Sequence, residues 1–120
     1  MYQVIKMYGD WEPWWFLDGW TDDIVSQKVF TDFEEAARYY ESQWQKESES
    51  YCCYDSHKDF LTAFWDQEDT RWCEPCGDYL QQYHSLLLLE DGEILPSKYH
   101  RDSLVRKNCK TPQKNCQLKG

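Results

Sequence analysis

The period of apolar positions changes several times along the chain, and each change marks an element. Residues 2–8 place apolar side chains toward both faces of a strand, and residues 14–17 read as a second strand, with Asp18-Gly19 as a turn before Trp20. Residues 24–30 form a third candidate strand. Thr31 with Glu34 then makes a capping box, after which Phe33, Ala36, Ala37, Tyr40 and Trp44 fall at helical spacing on one face. Glu35, Arg38, Glu41, Ser42 and Gln45 occupy the opposite face, so the helix lies on a sheet with one side in water and frays near residues 48–50. Residues 60–65 are short, aromatic and bounded by polar residues, which favours a strand, and residues 66–71 read as a loop. From Tyr83 an apolar run ends in Glu90, Asp91-Gly92 supplies a turn, and Glu93 to Leu95 return, a β-hairpin. Past Pro96 the apolar residues thin out among basic and amide side chains.

These elements predict an α+β fold, a small and mostly antiparallel sheet with one long amphipathic helix packed on it and a poorly ordered basic C-terminal tail. A chain of 120 residues is long enough for one domain and too short for two ordinary ones. The expected organisation is a single acidic α+β domain over residues 1–97 and a basic flexible tail over residues 98–120. Charge follows the same division. Residues 1–97 hold six Lys/Arg against 21 Asp/Glu, a balance of −15, while residues 98–120 hold seven against one, a balance of +6. An acidic body repels phosphate backbones and a basic tail attracts them.

Composition adds two features. The 21 aromatic residues, seven Trp, nine Tyr and five Phe, supply core volume that the modest aliphatic content does not. Four of the tryptophans fall within residues 11–20, as Trp11, Trp14, Trp15 and Trp20. Such a run serves either as core or as a shallow aromatic surface. With Asp10, Glu12, Asp18, Asp22 and Asp23 on its border, a surface of this kind suits a basic peptide, a basic protein surface or a sugar better than nucleic acid. The partner-binding candidates are therefore Trp11, Trp14, Trp15, Trp20, Asp10 and Glu12. The amino terminus has no apolar run of signal length and the longest aliphatic stretch is only Leu86 to Leu89, so a soluble cytoplasmic protein without a membrane segment is expected.

The sharpest local motif is Trp72-Cys73-Glu74-Pro75-Cys76. In a reducing compartment, six cysteines argue less for a disulfide framework than for free thiols, a metal site or redox chemistry, while their even count leaves disulfides open. A structural zinc needs four ligands, and Cys53 and His57 would complete a set with Cys73 and Cys76; Cys52, His84, Cys109 or Cys116 are substitutes. The cofactor expectation is accordingly none or one structural zinc. The redox reading makes Cys73 the nucleophile and Cys76 the resolving thiol, but only seven residues separate Cys76 from His84, too few for the helix and strand of a thioredoxin fold. No Ser/His/Asp spacing supports a hydrolytic triad. Basic residues Lys98, Arg101, Arg106, Lys107, Lys110, Lys114 and Lys119 make the nucleic-acid alternative, weak and non-specific because aromatic interleaving stops at Tyr99.

The opening twenty residues, with Arg71-Trp72-Cys73-Glu74-Pro75-Cys76 and the run from Tyr79 to Leu86, resemble the bacterial family catalogued as domain of unknown function 1033. The resemblance covers roughly residues 1–95 and is specific in the first twenty. It implies a small bacterial protein with no established activity, in a family some of whose members carry a DNA-binding label without a mechanism. No catalytic residues come with it. The leading expectation is a non-catalytic interaction module with a Trp-rich surface for a protein or peptide partner, of unspecified oligomeric state. Weak DNA binding through the tail and a thiol-disulfide oxidoreductase are the alternatives.

Overall fold

The computed structural model describes residues 1–109. Strand β1 (Tyr2–Gly9) leads through an irregular aromatic segment and a short 3-10 turn to β2 (Ile24–Phe30), and then to helix α1 (Phe33–Ser50). Strands β3 (Cys53–His57), β4 (Leu61–Trp65), β5 (Thr70–Cys73), β6 (Asp78–Gln81), β7 (Tyr83–Glu90), β8 (Glu93–Ile94) and β9 (Arg106–Cys109) follow. One seven-stranded sheet runs β2-β1-β7-β4-β3-β9, with β8 paired to β7; β5 and β6 form a separate hairpin. Every pairing is antiparallel.

The centre of the sheet is the β1–β7 ladder, in register from Tyr2 opposite Glu90 to Gly9 opposite Tyr83. Both faces of β7 are buried, which is why residues 86–89 are an unbroken leucine run rather than an alternating one. On one face, Leu86 and Leu88 join Val4, Phe64 and the inner side of α1, namely Ala36, Ala37, Tyr40 and Trp44. On the other, Leu87 and Leu89 join Ile5, Met7 and Leu61. The helix is tied down by a buried polar chain as well as by packing. The Tyr40 and Thr62 hydroxyls are 2.6 Å apart, Thr62 donates to Ser56 Oγ at 3.0 Å, and the Trp44 indole donates to the same oxygen at 3.2 Å. Satisfying these groups removes the penalty of burying them, and burial holds the Tyr40 phenol well above its ordinary range.

Several expectations are corrected. The fold is not a small sheet under one long helix: strands account for 43 % of it, in a broad antiparallel sheet with a single α-helix of 18 residues among the described residues. Nor is the chain poorly ordered from residue 98, because Leu104 is buried and β9 adds an edge strand beside β3. Both β3 and β9 escape the sequence pattern for one reason: Cys-Tyr-Asp-Ser-His and Arg-Lys-Asn-Cys have little apolar alternation, and cross-strand pairing holds them where sequence propensity does not. Lys110, Lys114 and Lys119 lie outside the described residues. Residues 14–17 form no strand, since Phe16 takes a left-handed conformation at φ 44° that breaks an extended run. The helix begins one residue later than the capping box predicts, with Asp32 as the N-cap accepting from the Glu35 amide at 3.0 Å.

That reassignment has a measurable consequence. Asp32→Ala should lower stability by about 1 kcal/mol and Thr31→Ala by less than about 0.5 kcal/mol. Urea unfolding midpoints of the two variants check it, and the reverse order would restore Thr31 as the cap.

Candidate functional site

The segment from Asp10 to Asp23 closes the sheet face opposite the helix, and its aromatic residues divide into two groups. Trp14, Phe16 and Trp20 pack against the Ile5, Met7, Leu61, Leu87 and Leu89 cluster. Phe16 meets Trp20 edge to face at 5.0 Å, and Trp14 stacks on the His57 imidazole with ring centroids 4.0 Å apart. Trp11 and Trp15 point away from this cluster and are 54 % and 55 % exposed. The alternation cannot come from strand pleating, because the segment is irregular. Within it Phe16 and Gly19 both take left-handed conformations, at φ 44° and 80°.

Polar contacts fix the start of the segment. Arg71 reaches from β5 to clamp both oxygens of Asp10, with its Nε at 2.8 Å, and Gln82 Nε2 donates to the same carboxylate at 2.7 Å. The Arg71 bond holds the Asp10 carboxyl below the ordinary carboxylate range. The Trp15 indole donates to Glu12 Oε1 at 3.2 Å, which orients an exposed ring. At the far end, the Asp23 carboxylate lies against the backbone of Gly9, so close that a Cβ there would come within 2.9 Å of Oδ2.

Trp11, Trp15, Phe16 and Trp20 together wall a pocket of about 160 Å³, with Glu12, Asp18 and Asp23 among its other lining residues. Burial, followed by the neighbouring charges of Asp10 and Asp22, pushes the Asp23 carboxyl above the ordinary range, and among the described residues no cation or hydrogen bond pulls it back. The two carboxylates flanking this segment thus differ. Asp10 is neutralised by Arg71, whereas Asp23 is not neutralised. Of the partner-binding candidates, Trp11, Trp15, Trp20 and Glu12 share the pocket; Trp14 is turned toward His57 and Asp10 serves as an anchor.

The four residues of the metal expectation are not brought together. Cys53 is joined to Cys109 in a disulfide across the β3–β9 pair, and Cys52 is also disulfide-bonded, which corrects the expectation of free thiols at these positions. His57 lies under Trp14 with Nε2 3.4 Å from Asp55. Among the described residues no group of three or more His, Cys, Asp or Glu side chains is placed to hold a metal ion. Cys73 and Cys76 are free thiols at the β5–β6 turn, Cys73 buried and Cys76 exposed. The Cys73 side chain beside it raises the Cys76 thiol, so Cys76 is not an activated thiolate.

The basic residues that are described are largely occupied by the protein itself. Arg101 pairs with Glu41 at 3.1 Å and Glu34 at 3.5 Å, Arg106 lies over the Trp44 ring at 4.6 Å, Lys107 is 4.0 Å from Asp55, and Lys98 lies over Tyr99. One cluster was not legible in the sequence. Tyr8 donates to both oxygens of Asp69 at 3.0 Å, His84 Nε2 is 3.6 Å from Asp69, and His84 Nδ1 is 3.2 Å from the Tyr51 hydroxyl. Burial, with nearby carboxylates, pushes the Tyr51 phenol up to about 12. The only advance signal is register, since β1–β7 pairing sets Tyr8 opposite His84. The cluster fastens the 66–69 turn to the end of the central ladder.

The chain belongs to the family described as "Protein of unknown function (DUF1033)", whose profile matches residues 1–118. No curated protein and no solved structure matches it. No helix among the described residues is long and apolar enough to cross a membrane.

Two pairs of variants test this geometry. Trp20→Ala should cost about 3 kcal/mol or more and Trp11→Ala less than about 0.5 kcal/mol, as read from urea unfolding. The carboxylates should respond with opposite signs. With its folded pKa lowered, Asp10 adds stability that is complete above its unfolded pKa, about 3.9, and is lost as pH falls through the folded value. With its folded pKa raised, Asp23 favours the fold fully below about 3.9 and loses that contribution as pH rises through the folded value. At pH 7, Asp10→Asn should therefore destabilise the protein and Asp23→Asn should stabilise it. Equal signs in thermal melts would contradict the assignment.

Proposed function

We propose that this member of the DUF1033 family is a non-catalytic interaction module that takes a basic protein segment on the aromatic surface of residues 11–20. The reading rests on one observation: Trp11 and Trp15 are more than half exposed, while Trp14, Phe16 and Trp20 beside them are anchored in the sheet face. Trp side chains left in water forgo the burial that their neighbours obtain, and Trp is among the residues most often responsible for binding energy at interfaces. The indole of Trp15 is held by Glu12, so little side-chain freedom is lost when a partner covers it.

Charge selects the kind of partner. Glu12, Asp18, Asp22 and Asp23 border the rings, and the body from residue 1 to 97 carries −15. A field of that sign draws cationic segments in and holds phosphate backbones off. Arg101 and Lys107, which a nucleic-acid reading would use, are turned onto carboxylates of the body instead.

The test is a set of anisotropy titrations of the full-length protein with fluorescein-labelled 12-residue peptides, one rich in Lys and Arg and one rich in Asp and Glu, beside a labelled oligonucleotide. The basic peptide should bind, the acidic peptide should not, and Trp11→Ala with Trp15→Ala should weaken binding at least about tenfold without lowering stability. Preferential binding of the oligonucleotide, or basic-peptide binding indifferent to both substitutions, would overturn the proposal.

A further inference from the structure

We infer that the pocket walled by Trp11, Trp15, Phe16 and Trp20, with Asp23 beside them, is the receptor for a single arginine side chain of the partner. This rests on the interaction-module reading and adds to it the identity of the group that is bound.

The pocket combines two features that favour a guanidinium together. Four of its eleven lining residues are aromatic, three of them tryptophans, and indole rings attract a cation through the ring quadrupole. Its polar boundary includes Asp23, a half-buried carboxylate that no cation of the protein neutralises among the described residues. An apolar pocket with no charge would take an aliphatic or aromatic ligand, and a carboxylate in water would take any cation weakly. Aromatic walls around a carboxylate short of a counter-charge favour a flat, weakly hydrated cation that can stack and form hydrogen bonds at once. Arginine meets that description, because its planar guanidinium presents paired N–H donors in a plane that lies along an aromatic face. Lysine does so less well, since its ammonium is compact and strongly hydrated and must shed that water to enter.

Size agrees with the chemistry. A cavity of about 150 Å³ accepts benzene, a molecule of six heavy atoms, and the pocket here is about 160 Å³. A guanidinium with its two adjoining methylenes has the same number of heavy atoms. Local backbone geometry points to the same place. Phe16, one of the lining residues, holds a left-handed conformation that non-glycine residues seldom adopt. Gly9 leaves room for the Asp23 carboxylate where any side chain would displace it. By contrast Asp10, the nearby carboxylate that already carries an arginine, is the one whose charge is fully used inside the protein.

The experiment compares three labelled peptides of one basic sequence that differ at a single position, arginine, citrulline or lysine, against the full-length protein. Citrulline keeps the shape of arginine and lacks its charge. The arginine peptide should bind at least about tenfold more tightly than the citrulline peptide and several-fold more tightly than the lysine peptide. Asp23→Asn, which preserves shape and should not unfold the protein, should bring the three within about twofold of one another. Trp72→Ala, which removes an exposed ring from the β5–β6 hairpin, should change none of them. If all three peptides bind equally through Trp11 and Trp15, and Asp23→Asn has no effect, the arginine receptor is wrong while the interaction module stands. If lysine equals arginine, the assignment to a guanidinium fails. If none of the peptides binds, the interaction-module reading fails with it.

Discussion

Everything in this molecule is hung on the pairing of β1 with β7. Eight residues of each strand are in continuous antiparallel register, and the four leucines of β7 alternate between two separate apolar clusters. A strand buried on both sides makes a demand that one amphipathic helix cannot meet, because α1 covers only one face. The second face must be closed by something else. In this chain it is closed by an irregular segment of fourteen residues, 10–23, and large rings are what allow so short a segment to exclude water from a sheet.

That requirement accounts for only part of the tryptophan run. Trp14 and Trp20 are positioned as the sheet requires, but Trp11 and Trp15 contribute little to closing it. The segment packs Trp14, Phe16 and Trp20 on the sheet face and leaves Trp11 and Trp15 more than half exposed, so it both completes the core and presents a surface. The carboxylates divide in a parallel way. Asp10 is neutralised and serves as an anchor for the β5–β6 hairpin, while Asp23 lies beside the exposed rings with no counter-charge among the described residues. A half-buried charge left without a counter-ion costs stability, and such costs gather at sites that bind.

How much of this could be read in advance depends on whether an element carries its own pattern. β1, β2, α1 and the β7–β8 hairpin have apolar periodicity, a cap or an Asp-Gly turn, and all were legible with only small boundary shifts. β3 and β9 were not, since their pairing is a tertiary matter and the Cys53–Cys109 bond that joins them has no signature in spacing. The cysteines misled for the same reason. A Cys-x-x-Cys pair is visible as a motif, whereas the absence of further ligands around it among the described residues is visible only in space. At the aromatic segment the residues were legible but not their division, because period-two reasoning presumes a strand and Phe16 breaks it. Nothing in the sequence separates Asp23 from its acidic neighbours, and its distinction, a carboxylate beside aromatic residues with Gly9 opposite, exists only in the folded chain.

The most direct test of the central claim, that one segment is core on one side and receptor on the other, is to follow the seven tryptophan indole N–H signals by NMR while an arginine-containing basic peptide is added. The signals of Trp11, Trp15 and Trp20 should shift in a saturable way, while those of Trp44, Trp65 and Trp72 stay in place. Shifts centred on Trp44, Trp65 or Trp72, or saturable binding that leaves Trp11 and Trp15 unmoved, would contradict the account.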